Sequence, residues 1–476
     1  MPSRTPTARM LTASVTGLYL GQALNWSLGF GSRLVLARLL SPADFGAFAL
    51  GMFLVAAART VQDLGLTNPL IRDDTIPAGH VLRVQLLAGI GLIGLLTAGR
   101  HLTGALHPAL PSLLPLLALT LIPDAVSATG SALLARRVTL HRTVAPDALG
   151  LLVAALVAIG GAWYGMGIWG LVAGQLAGSI ARAVWLWART HEGLALDTAS
   201  LWSSPGPLLR QGRYFLLLGV TGLLLLDLDK LILGVFSSAT EVGYYTMAFG
   251  LVYLPARLIE TPLRQVAYPT FARLTGDPAR TREAYAMLTL ASLTVEIPLA
   301  ILFALQAGPI LRWLYGPQWA PAAPLVTWMC ALTLVDPFSK FGGTLLQARG
   351  REDLQYWITL PYTLFFVTAA WLLTSRFGVG GLILANYLQI GGWYISLYIL
   401  GELDHQRDIV LRTGSLYGIC GMALAAALQS GIHRMAPAAA GLFVCLLAAM
   451  LMATVGRPAL AQVLALLRDA RIRRPA

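Results

Sequence analysis

The sequence predicts an all-α membrane protein that crosses the bilayer many times. Of its 476 residues, 57% are hydrophobic and only 12% are charged, whereas soluble domains are about one quarter charged. Apolar runs of about 20 residues, the length that spans a bilayer as a helix, recur from end to end with short polar turns between them. An internal repeat also relates the two halves of the chain. These three observations predict two similar bundles of membrane helices.

The apolar runs predict about fourteen transmembrane helices. They lie at residues 10–39, 44–70, 81–99, 110–134, 144–163, 168–190, 209–236, 241–269, 285–306, 321–347, 355–375, 380–400, 411–430 and 437–456. Six helices form each lobe, and the last two lie outside the repeat. The corresponding domains are residues 1–190 for the first lobe, a cytoplasmic linker at 191–208, residues 209–400 for the second lobe, and residues 401–476 with the last two helices and a basic tail.

The internal repeat is clearest around the turn that follows the first helix of each half. RLVLARLLSPADFGAFALGMFL, at residues 33–54, returns as KLILGVFSSATEVGYYTMAFGL at residues 230–251, an offset of 230 − 33 = 197. Six helices, an even number, precede the second copy, so both copies enter the membrane from the same side and the repeat is parallel. Equivalent positions hold Arg33 and Lys230, Asp44 and Glu241, Gly46 and Gly243, and Asp63 and Glu260.

The basic loops predict that both termini are cytoplasmic. With the N-terminus inside, most arginines of the loops and the tail fall on the cytoplasmic side, as the positive-inside rule requires. The net charge of +12 is then a matter of topology, and we expect no nucleic-acid partner. The three cysteines and seven histidines have no metal-ligand spacing, so we expect no metal and no cofactor.

Charged residues inside the predicted helices are the candidate functional residues, because such residues normally face a cavity or a partner. The chain has only two lysines, and both fall inside predicted helices. An alternative is that the charges are structural braces, Arg59 with Asp63 and Asp227 with Lys230. The four single acids beside prolines, Asp124, Asp147, Glu296 and Asp336, are interpreted as helix-end or kink groups.

Five motifs carry a resemblance to a known family. LARLLSPADFG, DLGLTNPLIR, LDLDKLILGVF, VGYYTMA and LLQARGREDL resemble the Wzx-type polysaccharide-biosynthesis flippases of the multidrug/oligosaccharidyl-lipid/polysaccharide exporter superfamily. The resemblance implies a V-shaped bundle of two six-helix lobes around a central cationic cavity. It implies a flippase that moves undecaprenyl-diphosphate-linked oligosaccharide from the cytoplasmic to the periplasmic leaflet of the bacterial inner membrane, for exopolysaccharide or O-antigen synthesis. It also suggests coupling to an ion gradient, and a polymerase and a chain-length regulator as partners.

The resemblance implies a basic cavity lining, which would fall on Arg33, Arg59, Lys230, Arg257 and Lys340. Their position inside the predicted helices adds Asn25 as a substrate-binding candidate, and Asp63, Asp227, Asp229 and Glu260 as candidates for ion coupling or gating. Arginine suits a diphosphate because it makes bidentate contacts to phosphate.

Three other functions are considered. A cation-coupled multidrug exporter of the same superfamily would carry an acid in helix one, and residues 10–40 contain none. A membrane polymerase or glycosyltransferase needs a sizeable outer loop, and the predicted outer turns are short, so we expect no enzymatic activity. A peptidoglycan-precursor lipid flippase shares the fold and the cationic cavity, and it stays open.

Overall fold

The computed structural model describes residues 8–73, 76–136, 144–191, 206–274, 276–333 and 336–399. These residues form helices and turns and contain no strand, as the sequence predicts. The chain divides into two compact units, Met1–Gly243 and Tyr244–Ala476. The predicted helices at 411–430 and 437–456 lie outside the described residues. The lobe boundaries near 190, 208 and 400, the V shape and the central cavity stay predictions.

The first unit contains ten described helices and the first turn of an eleventh. They are α1 (Ala8–Leu39), α2 (Pro42–Asp63), α3 (Thr67–Arg72), α4 (Ala78–Ala98), α5 (Leu110–Ala118), α6 (Leu121–Arg136), α7 (Val144–Trp163), α8 (Ile168–Thr190), α9 (Gly206–Leu226) and α10 (Leu228–Phe236). A 3-10 helix, Gly99–Ala105, follows α4. The long helices α7 and α8 pack closely because glycines such as Gly174 and Gly178 leave room for the backbone of α7.

The second unit contains most of α11 and the helices that follow it. They are α11 (Ala239–Arg273), α12 (Pro278–Leu314), a 3-10 helix (Pro317–Ala322), α13 (Ala323–Thr333), α14 (Asp336–Ala348) and α15 (Glu352–Ile399). The predicted helices 355–375 and 380–400 join as α15, which kinks at Gly378, where φ is 56°. The core of the second unit contains Phe271, Tyr285 and Phe341 packed together. The hydroxyl of Tyr285 donates to the carbonyl of Phe338 at 2.9 Å.

Eight helical segments of the described residues are long and apolar enough to span a membrane. They are Pro42–Asp63, Ala78–Ala105, Leu110–Arg136, Val144–Trp163, Ile168–Thr190, Pro278–Leu314, Pro317–Ala348 and Asp353–Leu388. The chain is therefore a multi-pass membrane protein. The long helix α11 is outside this group, and charged residues lie in its middle.

Several predicted helices are divided, which corrects their predicted bounds. The helix predicted at 44–70 ends at Asp63, because Leu64 and Gly65 adopt left-handed conformations with φ of 51° and 67°. The helix predicted at 209–236 divides at Asp227 into α9 and α10. There the carboxylate of Asp229 accepts the backbone N–H of Lys230 at 2.8 Å, which competes with the regular helical hydrogen bond. The helix predicted at 110–134 divides into α5 and α6.

The two copies of the repeated turn contact each other within the first unit. Ser41 caps α2 in a capping box with Asp44. A Cβ at Gly46 would lie 1.7 Å from the carbonyl oxygen of Ala239, and a Cβ at Gly243 would lie 2.0 Å from the carbonyl oxygen of Pro42. Pro42 and Ala239 are themselves equivalent at the repeat offset, since 239 − 42 = 197. The contact is therefore symmetric, and only glycine allows the two backbones to come this close.

Candidate functional site

In the first unit, Arg59 on α2 forms an ion pair with an acid on another helix and not with the predicted acid on α2. Its Nη2 lies 2.5 Å from Oδ2 of Asp124 on α6. The alternative pairing of Arg59 with Asp63 on α2 is therefore wrong. Asp124 lies in the first turn of α6, at a helix end as predicted, and is also the ion-pair partner of Arg59. The Asp124 side chain is 10% exposed and that of Arg59 is 42% exposed. The acid thus holds the arginine in place while part of the guanidinium stays accessible.

Asp63 is held by hydrogen bonds instead of by a cation. Its carboxylate accepts the hydroxyl of Thr67 and the side-chain amide of Gln85 at 2.9 Å. The oxygen of Gln85 in turn accepts the hydroxyl of Thr129 at 2.8 Å. The amide of Gln62 donates to the carbonyls of Gln85 and Leu121. This polar network ties α2, α4 and α6 together and fixes the position of the carboxylate.

A cavity of about 160 Å³ opens beside these groups. It is lined by Arg59, Gln62, Asp63, Gln85, Asp124, Ala125, Ala128 and Arg182. Arg182 on α8 pairs with Asp147 on α7, with Nε 2.8 Å from Oδ1. Arg182 is not among the residues predicted from the sequence, although an arginine in the middle of the apolar run at 168–190 indicates a functional residue. The first unit therefore places two arginines at one polar cavity.

The other candidates of the first unit lie on α1 and at the α9–α10 break. Arg33 is exposed and Asn25 is half-buried, and the side-chain oxygen of Asn25 has no hydrogen-bond partner among the described residues. The Nζ of Lys230 lies 2.5 Å from Oδ1 of Asp227 and 3.6 Å from Oδ1 of Asp229. The predicted pairing of Asp227 with Lys230 is confirmed.

In the second unit, one lysine is shared by two acids from two helices. The Nζ of Lys340 on α14 contacts Glu260 on α11 and lies 2.6 Å from Oδ2 of Asp336. The side chains of Glu260 and Lys340 are 3% and 28% exposed. Oε1 of Glu260 has no hydrogen-bond partner among the described residues. The cluster therefore joins one buried acid, Glu260, to two half-buried groups, Asp336 and Lys340.

A further buried acid, Glu296 on α12, lies close to this cluster. It is 2% exposed, accepts the hydroxyl of Ser292 at 2.6 Å and interacts electrostatically with Glu260. It lines a cavity of about 10 Å³ together with Cys330 and Thr333, which is about the space of one water molecule. The four acids beside prolines thus share no single role. Three form ion pairs, and Glu296 is hydrogen-bonded.

Arg257, a candidate substrate-binding residue, lies on an exposed face of α11 that carries a second arginine. Arg257 and Arg264 are both exposed, although they lie in the middle of a helix of 35 residues. Charged side chains are costly in lipid and normally face a cavity. The described residues contain no group of three or more His, Cys, Asp and Glu side chains arranged to hold a metal ion. The two exposed arginines of α11 suit the binding of an anionic ligand.

Sequence comparisons identify relatives of this chain. The succinoglycan biosynthesis transport protein ExoT of Rhizobium meliloti (strain 1021) is 24% identical over 373 residues, which are 75% of this chain and 73% of ExoT. The lipopolysaccharide biosynthesis protein WzxC of Escherichia coli (strain K12) is 22% identical over 385 residues, 78% of this chain and 77% of WzxC.

Solved structures share the fold. The lipid II flippase MurJ in an inward closed conformation superposes with a TM-score of 0.74 at 13% identity, over 93% of this chain and 99% of MurJ. An inward-facing multidrug resistance MATE transporter has a TM-score of 0.57 at 14% identity, over 81% and 94% of the two chains. The Rft protein family matches residues 208–454. The polysaccharide biosynthesis protein family matches residues 35–324, which is more than half of the sequence, and the chain belongs to this family.

Proposed function

We propose that the chain is a flippase for undecaprenyl-diphosphate-linked oligosaccharides. It moves the lipid-linked sugar from the cytoplasmic to the periplasmic leaflet of the bacterial inner membrane, for exopolysaccharide or O-antigen synthesis. The names of the relatives support this proposal, since they include a succinoglycan biosynthesis transport protein and a lipopolysaccharide biosynthesis protein. Both termini are cytoplasmic in this proposal, and the partners are the polymerase and the chain-length regulator that receive the product.

The observation that carries the proposal is the set of exposed or half-exposed arginines on long helices of a multi-pass membrane protein. Arg33 and Arg257 are exposed, and Arg59 is half exposed beside a polar cavity. Each of these arginines carries the fixed positive charge that a contact to a diphosphate needs. Asn25 adds an amide for a hydroxyl or phosphate oxygen.

The lysines and acids have a different role from the arginines in the proposed mechanism. Lys230 and Lys340 are held by Asp227, Asp229, Glu260 and Asp336, so a phosphate contact by either lysine replaces an existing ion pair. We assign Asp227, Asp229 and Glu260 to ion coupling or gating on this ground. Asp63 is assigned to gating, because its network connects three helices. Transport requires only two states that bind the ligand differently and no covalent chemistry, so no enzymatic activity is proposed.

Reconstitution into proteoliposomes tests the proposal directly. The probe is a lipid-linked oligosaccharide on undecaprenyl diphosphate, and the readout is the fraction of its sugar that an impermeant reagent reaches over time. We expect the wild-type protein to accelerate the exchange between leaflets. Parallel assays with lipid II and with a cationic dye test the two related functions. Exchange of lipid II alone would favour the peptidoglycan-precursor flippase, whose fold this chain shares, and dye transport alone would favour the drug exporter.

Arg33 provides a sharper test of the phosphate site. Arg33→Lys keeps the positive charge and should retain part of the transport, while Arg33→Ala and Arg33→Glu should abolish it in protein that is inserted and folded. Losing one charge-assisted contact costs about 1.5–3 kcal/mol, or roughly ten- to a hundredfold in affinity. Binding of the undecaprenyl-diphosphate sugar to purified Arg33→Ala is measured beside the wild type. Equal affinities would remove Arg33 from the site and leave Arg59 and Arg257 to bind the phosphate.

A further inference from the structure

A stripe of side chains along α11 is exposed or half-buried and is polar for most of its length. The stripe consists of Thr246, Phe249, Tyr253, Arg257, Thr261, Arg264 and Tyr268, which follow one another at the three- and four-residue spacing of one helical face. Six of these seven residues carry a hydroxyl or a guanidinium group, and only Phe249 carries neither. Such a face is unsuited to lipid.

The exposed face of α7 shows the opposite composition. Its exposed residues include Leu151, Leu152, Leu156 and Val157, which is what contact with lipid tails requires. The stripe of α11 has two arginines at comparable depth in its helix. We therefore interpret the α7 face as lipid-facing and the α11 stripe as facing water or ligand.

Three aromatic rings form a stack at one end of this stripe. The ring centroids of Phe249 and Tyr253 are 4.2 Å apart at an interplanar angle of 25°, and those of Tyr245 and Phe249 are 6.2 Å apart at 28°. Tyr245 is fully buried, and its hydroxyl accepts the side-chain amide of Asn386 at 3.2 Å. The stack is therefore anchored at the buried ring and becomes accessible toward Tyr253, one turn before Arg257.

We propose that Tyr253, supported by Phe249, binds the sugar that is attached directly to the diphosphate of the lipid carrier, while Arg257 binds the diphosphate. The apolar C–H face of a pyranose ring packs on the flat face of an aromatic ring, and Tyr253 is a large, rigid surface of this kind. Residues four apart on a helix are about 6 Å apart along its axis, which is comparable to the step from a sugar ring to the phosphate on its anomeric oxygen. This inference rests on the proposed flippase function and adds a specificity element to it.

The proposal predicts that Tyr253 and Arg257 act on different parts of the ligand. The probes are undecaprenyl diphosphate without sugar and its glucosyl and galactosyl forms, bound to purified protein in nanodiscs. In the wild type, a glycosyl form should bind more tightly than the bare diphosphate. Tyr253→Ala should lose about three- to tenfold in affinity for the glycosyl form and none for the bare diphosphate. Arg257→Ala should weaken the binding of all probes.

Conservative variants separate stacking from packing. Tyr253→Phe keeps the ring and should bind like the wild type, whereas Tyr253→Leu fills similar space without a ring and should behave like Tyr253→Ala. Tyr253→Leu also replaces the alanine variant if that variant does not fold. Tyr268→Ala is the matched control, because it removes a tyrosine of the same stripe about 22 Å away along the helix and should change neither affinity.

Two results would overturn the proposal that Tyr253 binds the sugar. One is an equal loss, or no loss, for glycosyl and bare probes in both Tyr253→Ala and Tyr253→Leu. The other is a loss in Tyr253→Phe as large as in Tyr253→Leu. Failure of the wild type to bind any of the three probes would instead contradict the proposed function itself, so the two failures are distinguishable.

Discussion

The two units balance their intramembrane charges in different ways. In the first unit each arginine of the cavity has its own acid, Arg59 with Asp124 and Arg182 with Asp147. In the second unit Lys340 forms ion pairs with both Glu260 and Asp336. The arginine pairs are partly exposed, while Glu260 is buried. The two units thus differ in how each cation is paired with acids.

This difference has a functional meaning. A one-to-one pair beside a cavity keeps the net charge near zero and presents an arginine in a fixed position. A lysine shared by two acids has no such one-to-one balance, and we propose that this cluster responds to the binding or release of an ion or proton. We therefore assign ligand binding mainly to the exposed arginines and coupling mainly to the cluster around Lys340.

The largest expected effect comes from removing the shared cation. Lys340→Met leaves Glu260 and Asp336 without a partner, and breaking a buried ion pair costs about 3–5 kcal/mol. We expect a clear drop in the apparent Tm of the purified protein in detergent. Adding Glu260→Gln should restore only part of the loss, because Asp336 still lacks its cation. A Tm equal to that of the wild type would show that Lys340 does not stabilise the acids.

A smaller effect is expected at the one-to-one pair of the first unit. Arg59→Met leaves Asp124 alone, but the arginine is more accessible to solvent than Lys340, so we expect a loss of about 1–2 kcal/mol. Because there is only one acid to neutralise, Arg59→Met combined with Asp124→Asn should recover most of the stability. A double variant as unstable as Arg59→Met would contradict the one-to-one arrangement.

The smallest effect on stability is expected at the break between α9 and α10. Exchanging Asp227→Lys with Lys230→Asp keeps the i, i+3 pair, and Asp229 keeps the backbone N–H of residue 230 as a donor. The Asp227–Lys230 pair is partly exposed, but the exchange also removes the cation that lies 3.6 Å from Oδ1 of the buried Asp229. We therefore expect the free energy of unfolding to fall by about 1 kcal/mol. Transport measured in the same variant then decides the role of Lys230. Retained transport identifies a brace, and lost transport at normal protein levels identifies a ligand or coupling contact.

Local features of the fold could be predicted from the sequence, and distant partners could not. The turn at Ser41 and Asp44 could be predicted because it is encoded within a few residues, and the structure shows a capping box there. The partner of Arg59 is 65 residues away and that of Lys340 is 80 residues away. Spacing along one helix reveals only neighbours one turn apart, so it suggested Asp63 for Arg59.

Two other features escaped the sequence analysis for related reasons. The breaks at Leu64 and Asp227 interrupt runs whose hydropathy is nearly continuous. They depend on the backbone conformation of single residues, to which a hydropathy average is insensitive. The stack of Phe249 on Tyr253 has helical spacing, but a four-residue spacing of aromatic residues is equally typical of a packed core. The structure adds the half-buried state of both rings.

The symmetric contact of Gly46 and Gly243 has a consequence for the origin of the chain. Each glycine lies against the carbonyl oxygen that is equivalent to the one its counterpart touches, which is the arrangement that a two-fold axis creates between identical subunits. A single ancestral half could have made this contact as a homodimer before its gene was duplicated and fused. Both positions then require glycine for the same reason, which is the close approach of a backbone carbonyl oxygen. Alanine at either position creates the same backbone clash, and the second copy cannot compensate for a change in the first.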